Sequence, residues 1–170
     1  MAKKDLGWDL AEVCKAANLS TTEDVILLNN FNVHQGIPIE FLNLIYNVSD
    51  CVVSSTLGEG WGLTWTEAMA TKTPVIMPNN TAMSEHITPE RGYLVDCGSN
   101  TNLLYVPPQT MFPQKLTDVE DMARKMIHVY KHREEAAHKA AAAYQWVTTN
   151  LDWQKHIVPH WVEFFEKIEA

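Results

Sequence analysis

Cysteine is sparse and odd in number: Cys14, Cys51 and Cys97 lie far apart and form no C-x-x-C pair. That spacing argues against a zinc site and against a disulfide framework. Reduced thiols and a cytoplasmic setting follow as the simplest expectation. Long apolar runs are lacking; none approaches the roughly 20 residues that cross a bilayer. The start, Met-Ala-Lys-Lys-Asp, has no apolar core, so no signal peptide is expected. The N-x-S/T triplets at Asn18, Asn47 and Asn79 are then expected to be chance occurrences. Positive charge is in deficit, and the net charge of the 170-residue chain is -8. A nucleic-acid binder needs a basic face, so that function is set aside. A nucleotide pocket stays open, because helix amides hold a diphosphate without net positive charge.

What is there is an ordinary globular composition, 46% hydrophobic and 20% charged, in a length that fits one domain. Apolar residues at helical spacing predict helices over Trp8–Asn18, Ile39–Val48 and Thr64–Thr71. Short apolar runs predict strands over Val25–Leu28, Cys51–Ser55, Pro74–Pro78 and Tyr93–Val95. Such alternation implies an α/β fold with a Rossmann-like parallel sheet and helices on both faces. Residues 7–116 form the α/β part. Within it, Gly98–Lys115 is polar, holds three prolines and is expected to be a long loop. Residues 117–170 form C-terminal helices. Thr117 to Glu120 is a capping-box pattern, Glu134–Val147 is rich in helix formers, and Ile157, Trp161, Phe164, Phe165 and Ile168 share one broad face. No internal repeat or low-complexity linker is present.

The chemistry is expected in Ser54–Ala70, SSTLGEGWGLTWTEAMA. A strand ends, a glycine-rich loop follows and a helix begins. Open α/β sheets bind ligands at the carboxyl ends of strands. Gly58, Gly60 and Gly62 allow close approach and positive φ, and the helix start favours a phosphate. Glu59 and Glu67 flank that seat, and carboxylates suit sugar and ribose hydroxyls. The bland alternative is that Thr64 and Glu67 form a capping box, with Glu67 bonding the helix start.

This segment resembles the E-x7-E motif of family 4 of the GT-B glycosyltransferases, E-G-F/W-G-L-x-x-x-E-A-M-A. Further motifs are similar in order and spacing. Thr73–Ile76 resembles the family's "GTPVI" strand and Asn80–Glu85 the N-x-S-x-x-P-E loop. Gly92–Asp96 resembles "GxLVD", and Leu44–Asp50 the "LYxxAD" helix end. Trp153 and the last helix resemble the family's terminal helix. The resemblance implies the C-terminal, donor-binding half of a retaining enzyme that transfers a sugar from a nucleoside diphosphate sugar, with no cofactor and no metal; no D-x-D pair argues otherwise. By position, Glu59 would meet the transferred sugar as the catalytic-site carboxylate. Gly60, Trp61, Gly62 and Leu63 would give backbone contacts to sugar and phosphate. Thr64 would stand at the diphosphate, Glu67 would hold the ribose, and the loop near Asn32 and Val33 would pass the base.

Departures from the family are also visible. The acceptor domain is absent, as is the start of the donor domain with its basic residues; Lys3 and Lys4 do not match them. Lys72 stands where members often have a helix-ending glycine. The expected sheet therefore has a hole or an open edge. That edge would pair with a missing segment or a second copy of the chain, or the gap would close by movement of a strand. The rivals to an enzyme domain are a nucleotide-sugar-binding module or split-enzyme subunit, an inactive interaction domain, and an epimerase of the same fold. The pairs His128/His132 and His156/His160 sit one helical turn apart but lack a third ligand, so solvated helix faces are expected. His86 could face the pocket, and Trp65 is expected in the core.

Overall fold

The computed structural model describes residues 9–27, 36–98, 104–106 and 111–169. The chain divides into two units, residues 1–43 and 44–170. In the first, α1 spans Leu10–Ala16 and is started by Asp9, whose carboxylate accepts from the Ala11 amide at 2.9 Å. A local turn follows: Asp24 Oδ2 accepts from the Ser20 amide at 2.8 Å, and the Val25 amide donates to the Ser20 carbonyl at 2.9 Å. The turn uses an amide that a strand would have offered, and Ile26 is 85% exposed. The strand expected over Val25–Leu28 is thus not formed at residues 25–27. Leu28, Lys3, Lys4 and the Asn32–Val33 loop lie outside the described residues. Helix α2, Ile39–Val48, has the expected bounds and crosses from the first unit into the second.

The second unit holds β1 (Val52–Val53), α3 (Leu63–Ala70), β2 (Val75–Pro78), α4 (Thr81–His86) and β3 (Tyr93–Val95). The three strands form a parallel sheet in the order β1-β2-β3. Its register sets Val53 beside Ile76 and Ile76 beside Tyr93. Side chains alternate across a strand, so this row shares one face. It packs with Val95 against Val129 of α5 (Val119–Lys131) and Ala136 of α6 (Arg133–Asn150). All four β2 positions are buried, so helices cover both faces of the central strand. Helix α6 buries Ala136, Ala140, Ala143 and Val147, a stripe at helical spacing, and packs against α3. Strand β1 pairs with β2; among the described residues no strand pairs with its other side.

Three further elements differ from expectation. The stretch expected as a long loop contains β4 (Leu104–Tyr105) and β5 (Gln114–Lys115), paired antiparallel. Two-residue pairs are too short to leave a period. Helix α5 starts on Asp118 rather than on Thr117: the Asp118 carboxylate accepts from the Asp121 amide at 2.9 Å. The Asp121 carboxylate accepts from the Asp96 amide at 3.0 Å, which ties the end of β3 to α5. The last helical stretch opens as a π-helical turn, Trp153–Ile157, before α7 (Val158–Glu169). The Trp161, Phe164, Phe165 and Ile168 side chains of α7 are each more than half exposed. No helix among the described residues is long and apolar enough to cross a membrane.

Candidate functional site

The glycine loop leaves the end of β1 and is fastened to the start of α4. Buried Asn80 donates toward the Thr56 and Leu57 carbonyls at 3.5 and 3.4 Å. The Glu59 amide donates to Thr81 Oγ1 at 3.0 Å, and the Glu59 carbonyl accepts from the Ala82 amide at 3.4 Å. The Glu59 side chain itself is exposed, and Oε1 accepts from Thr56 Oγ1 at 3.1 Å. An exposed carboxylate on a backbone held from both sides is suited to receive hydroxyl donors.

Gly60 is open: a Cβ there would meet nothing within 4 Å. Gly62 is the reverse case. It has φ 85, and a Cβ would stand 2.6 Å from Trp65 Nε1. Only glycine holds that backbone without strain. Gly62 is also the cap of α3, and no side chain caps the helix. The first-turn amides of a helix lack partners within it, so α3 presents donors and the positive end of its dipole beside Gly60. Leu63 and Thr64, at its start, are exposed.

Trp61 folds away from this opening. Its Nε1 donates to Thr66 Oγ1 at 2.9 Å, and Trp65 Nε1 donates to the Trp61 carbonyl at 2.6 Å. The Trp61 ring lies 5.4 Å from Trp65 and 4.5 Å from His86, and Trp146 of α6 completes the cluster. Arg91 covers the Trp146 ring at 4.3 Å.

Glu67 is the fifth residue of α3, because the helix starts one residue earlier than expected. Its Oε2 accepts from the buried Tyr46 hydroxyl of α2 at 2.8 Å. The capping-box alternative is therefore corrected: Glu67 does not bond the helix start, because a tertiary partner 21 residues away holds it. Burial first, then the Glu67 hydrogen bond and charge, raise the Tyr46 pKa well above the usual phenol range.

Residues 15–104, more than half of the chain, match the family described as glycosyl transferases group 1. The chain belongs to that family. Its fold is that of the C-terminal domain of a GT-B glycosyltransferase. It is similar to sucrose-phosphate synthase from Thermosynechococcus elongatus, with a TM-score of 0.71 and 21% identity over 95% of this chain and 34% of that one. It is also similar to a glycosyltransferase from Rickettsia africae, with a TM-score of 0.67 and 21% identity over 95% and 36% of the two chains. The C-terminal domain of a glycosyl transferase group 1 family protein from Francisella tularensis gives a TM-score of 0.59 and 25% identity over 84% and 60%. The chain thus spans about a third of the length of the first two. Among curated proteins none matches it.

For a glycosyl transferases group 1 chain, residues 59–64 form one corner at the end of β1. Glu67 lies on the α2 side of α3, and among the described residues no hydrogen bond joins it to Glu59. Of the three loop glycines, Gly62 alone has positive φ. Residue type gave no signal for Thr56; Asn80 and Thr81, which also hold the loop, lie in the Asn80–Glu85 resemblance, which does not say what they bond. Tyr46 stands at the tyrosine of the "LYxxAD" resemblance, and that motif was the available sign of its role.

Other candidates are weaker. His128 stacks on His132 at 4.1 Å, and its Nε2 lies 2.9 Å from Glu135 Oε2. Among the described residues no group of three His, Cys, Asp or Glu side chains is placed to hold a metal. A groove of about 380 Å³ is lined by Ile157, His160, Trp161 and Phe164. It is apolar and holds no residue of the glycine loop, so it does not displace that loop as the candidate site.

Proposed function

We propose that this chain is the donor-binding domain of a retaining glycosyltransferase that takes a sugar from a nucleoside diphosphate sugar without a metal. The observation that carries the reading is the start of α3. A helix without a side-chain cap opens at Gly62, directly after the exposed Glu59 and the open Gly60. In this reading the amides of Leu63 and Thr64 bind the diphosphate and stabilise its charge as it leaves. Glu59 accepts the sugar hydroxyls. The backbone of Gly60 to Gly62 lies along the sugar and phosphate, and Glu67 accepts the ribose hydroxyls. The acceptor would be supplied by a further domain or a second chain, and the side of β1 that no strand among the described residues pairs with is an edge through which two copies could pair. The free thiols Cys14, Cys51 and Cys97 favour a reducing, cytoplasmic setting.

A second reading is a non-catalytic nucleotide-sugar-binding module or one subunit of a split enzyme, which would share this loop and helix start. Calorimetric titration with UDP, GDP, ADP and their sugars tests both. Binding of one nucleotide that Glu67→Ala weakens tenfold or more supports the donor site. A folded chain that binds none of them overturns it. Transfer only after a partner domain is added distinguishes the second reading.

A further inference from the structure

Thr81 has φ 42, a left-handed backbone that a β-branched residue rarely adopts. Such strain persists where the surroundings impose it, and it gathers at functional sites. Here the surroundings are the candidate loop. Thr81 Oγ1 accepts from the Glu59 amide at 3.0 Å and donates to Asn80 Oδ1 at 3.2 Å. Its Cγ2 stands 3.3 Å from where a Gly58 Cβ would be. The next residue, Ala82, donates its amide to the Glu59 carbonyl. One strained threonine therefore fixes the backbone of Glu59 from the α4 side, while Thr56 fixes the carboxylate from within the loop.

We propose that Thr81 is a positioning residue for Glu59, setting the carboxylate for the hydroxyls of the bound sugar; this rests on the donor-site reading above. A purely structural threonine at left-handed φ would be improved by glycine, which adopts that backbone freely. A positioning threonine would relieve the same strain but lose its hold on Glu59, because its hydroxyl is the working group. The two roles thus agree on stability and differ at the Glu59 amide and in sugar binding.

The test uses the full chain as wild type, Thr81→Gly and Thr81→Ser. Thr81→Gly is expected to melt at or above the wild-type temperature. Its Glu59 amide is expected to exchange with solvent at least tenfold faster by NMR, and Thr81→Ser to restore protection. Binding is measured with UDP, GDP and ADP, and with each diphosphate carrying glucose, galactose, mannose or N-acetylglucosamine. The affinity gained from the sugar is expected to fall at least tenfold in Thr81→Gly and to return in Thr81→Ser, while affinity for the bare diphosphate stays within twofold. An unchanged Glu59 amide overturns the proposal. So does an unchanged sugar gain, an equal loss for diphosphate and sugar conjugate, or a wild type that binds a diphosphate but gains nothing from any sugar. If the wild type binds no nucleotide at all, the donor-site reading fails instead. The amide exchange then decides by itself whether Thr81 holds Glu59.

Discussion

Helix α5 begins under a carboxylate of its own chain, whereas α3 begins with no side-chain cap. Asp118 closes the first turn of α5, and Asp121 in that turn is buried and bonded to both Asp96 and Arg124. The chain itself thus supplies an acceptor to the first turn of α5. At α3, Gly62 turns the chain with positive φ and leaves the helix amides without such a group. Helices α4 and α6 also begin without a side-chain cap, so what sets α3 apart is the open glycine loop and exposed Glu59 in front of it. A helix that serves a ligand gains by leaving that end open, at some cost to its stability.

The largest expected effect comes from breaking the turn itself. Gly62→Ala forces a Cβ into Trp65 at a left-handed backbone, and should lower stability by about 2 kcal/mol or more in urea unfolding. A loss near zero would mean that the turn is not specified by glycine. Removing the closed end comes next. Asp118→Ala should cost about 1 kcal/mol and leave nucleotide binding unchanged. The smallest effect on stability sharpens the contrast most. Thr64→Glu puts a carboxylate in the exposed first turn of α3 and should raise stability by about 0.5 kcal/mol. The same charge should weaken diphosphate binding tenfold or more by calorimetry. If both quantities rise together, the open end is not the phosphate seat.

Alkaline pH separates the two helices through tyrosine. Tyr46, against α3, is raised by burial and by Glu67; Tyr93, beside α5 and α6, is pushed up to about 12 by burial and then by Glu135. Both phenols are kept neutral in the fold. Their contribution is full below the ordinary tyrosine pKa of about 10 and is lost as pH rises toward the folded values. Urea midpoints should therefore fall between about pH 9 and about pH 11. Tyr46→Phe should remove part of that slope, and an unchanged slope would detach Tyr46 from it.

Legibility in the sequence followed the range of the interactions. The α2 and β3 bounds were visible because Ile39–Val48 has a clear helical period and Tyr93–Val95 is a compact apolar run. Val25–Leu28 looks like a strand for the same reason, yet a run of apolar residues does not say whether a neighbour exists to pair with it. The Ser20–Asp24 turn takes the Val25 amide instead. In the site, the order of strand, loop and helix was plain from Ser54 to Ala70. The partner of Glu67 was not, because a capping box and a tertiary bond to Tyr46 look alike until α2 and α3 are placed. Lys72, which stands where the family often has a helix-ending glycine, takes the glycine-like φ of 59, with its ammonium over Tyr144. The grip of Thr81 on Glu59 joins residues 22 apart and left no local trace.

The tryptophan cluster makes the site optically self-reporting. Three of the six tryptophans, Trp61, Trp65 and Trp146, gather around His86, and Trp61 and Trp65 lie 5.4 Å apart. Indoles that close share excitation, so their near-ultraviolet dichroism and emission belong to the group rather than to one ring. Trp61 is part of the glycine loop. Any ligand that shifts the loop would retune the colour and handedness of the whole set, with no dye attached.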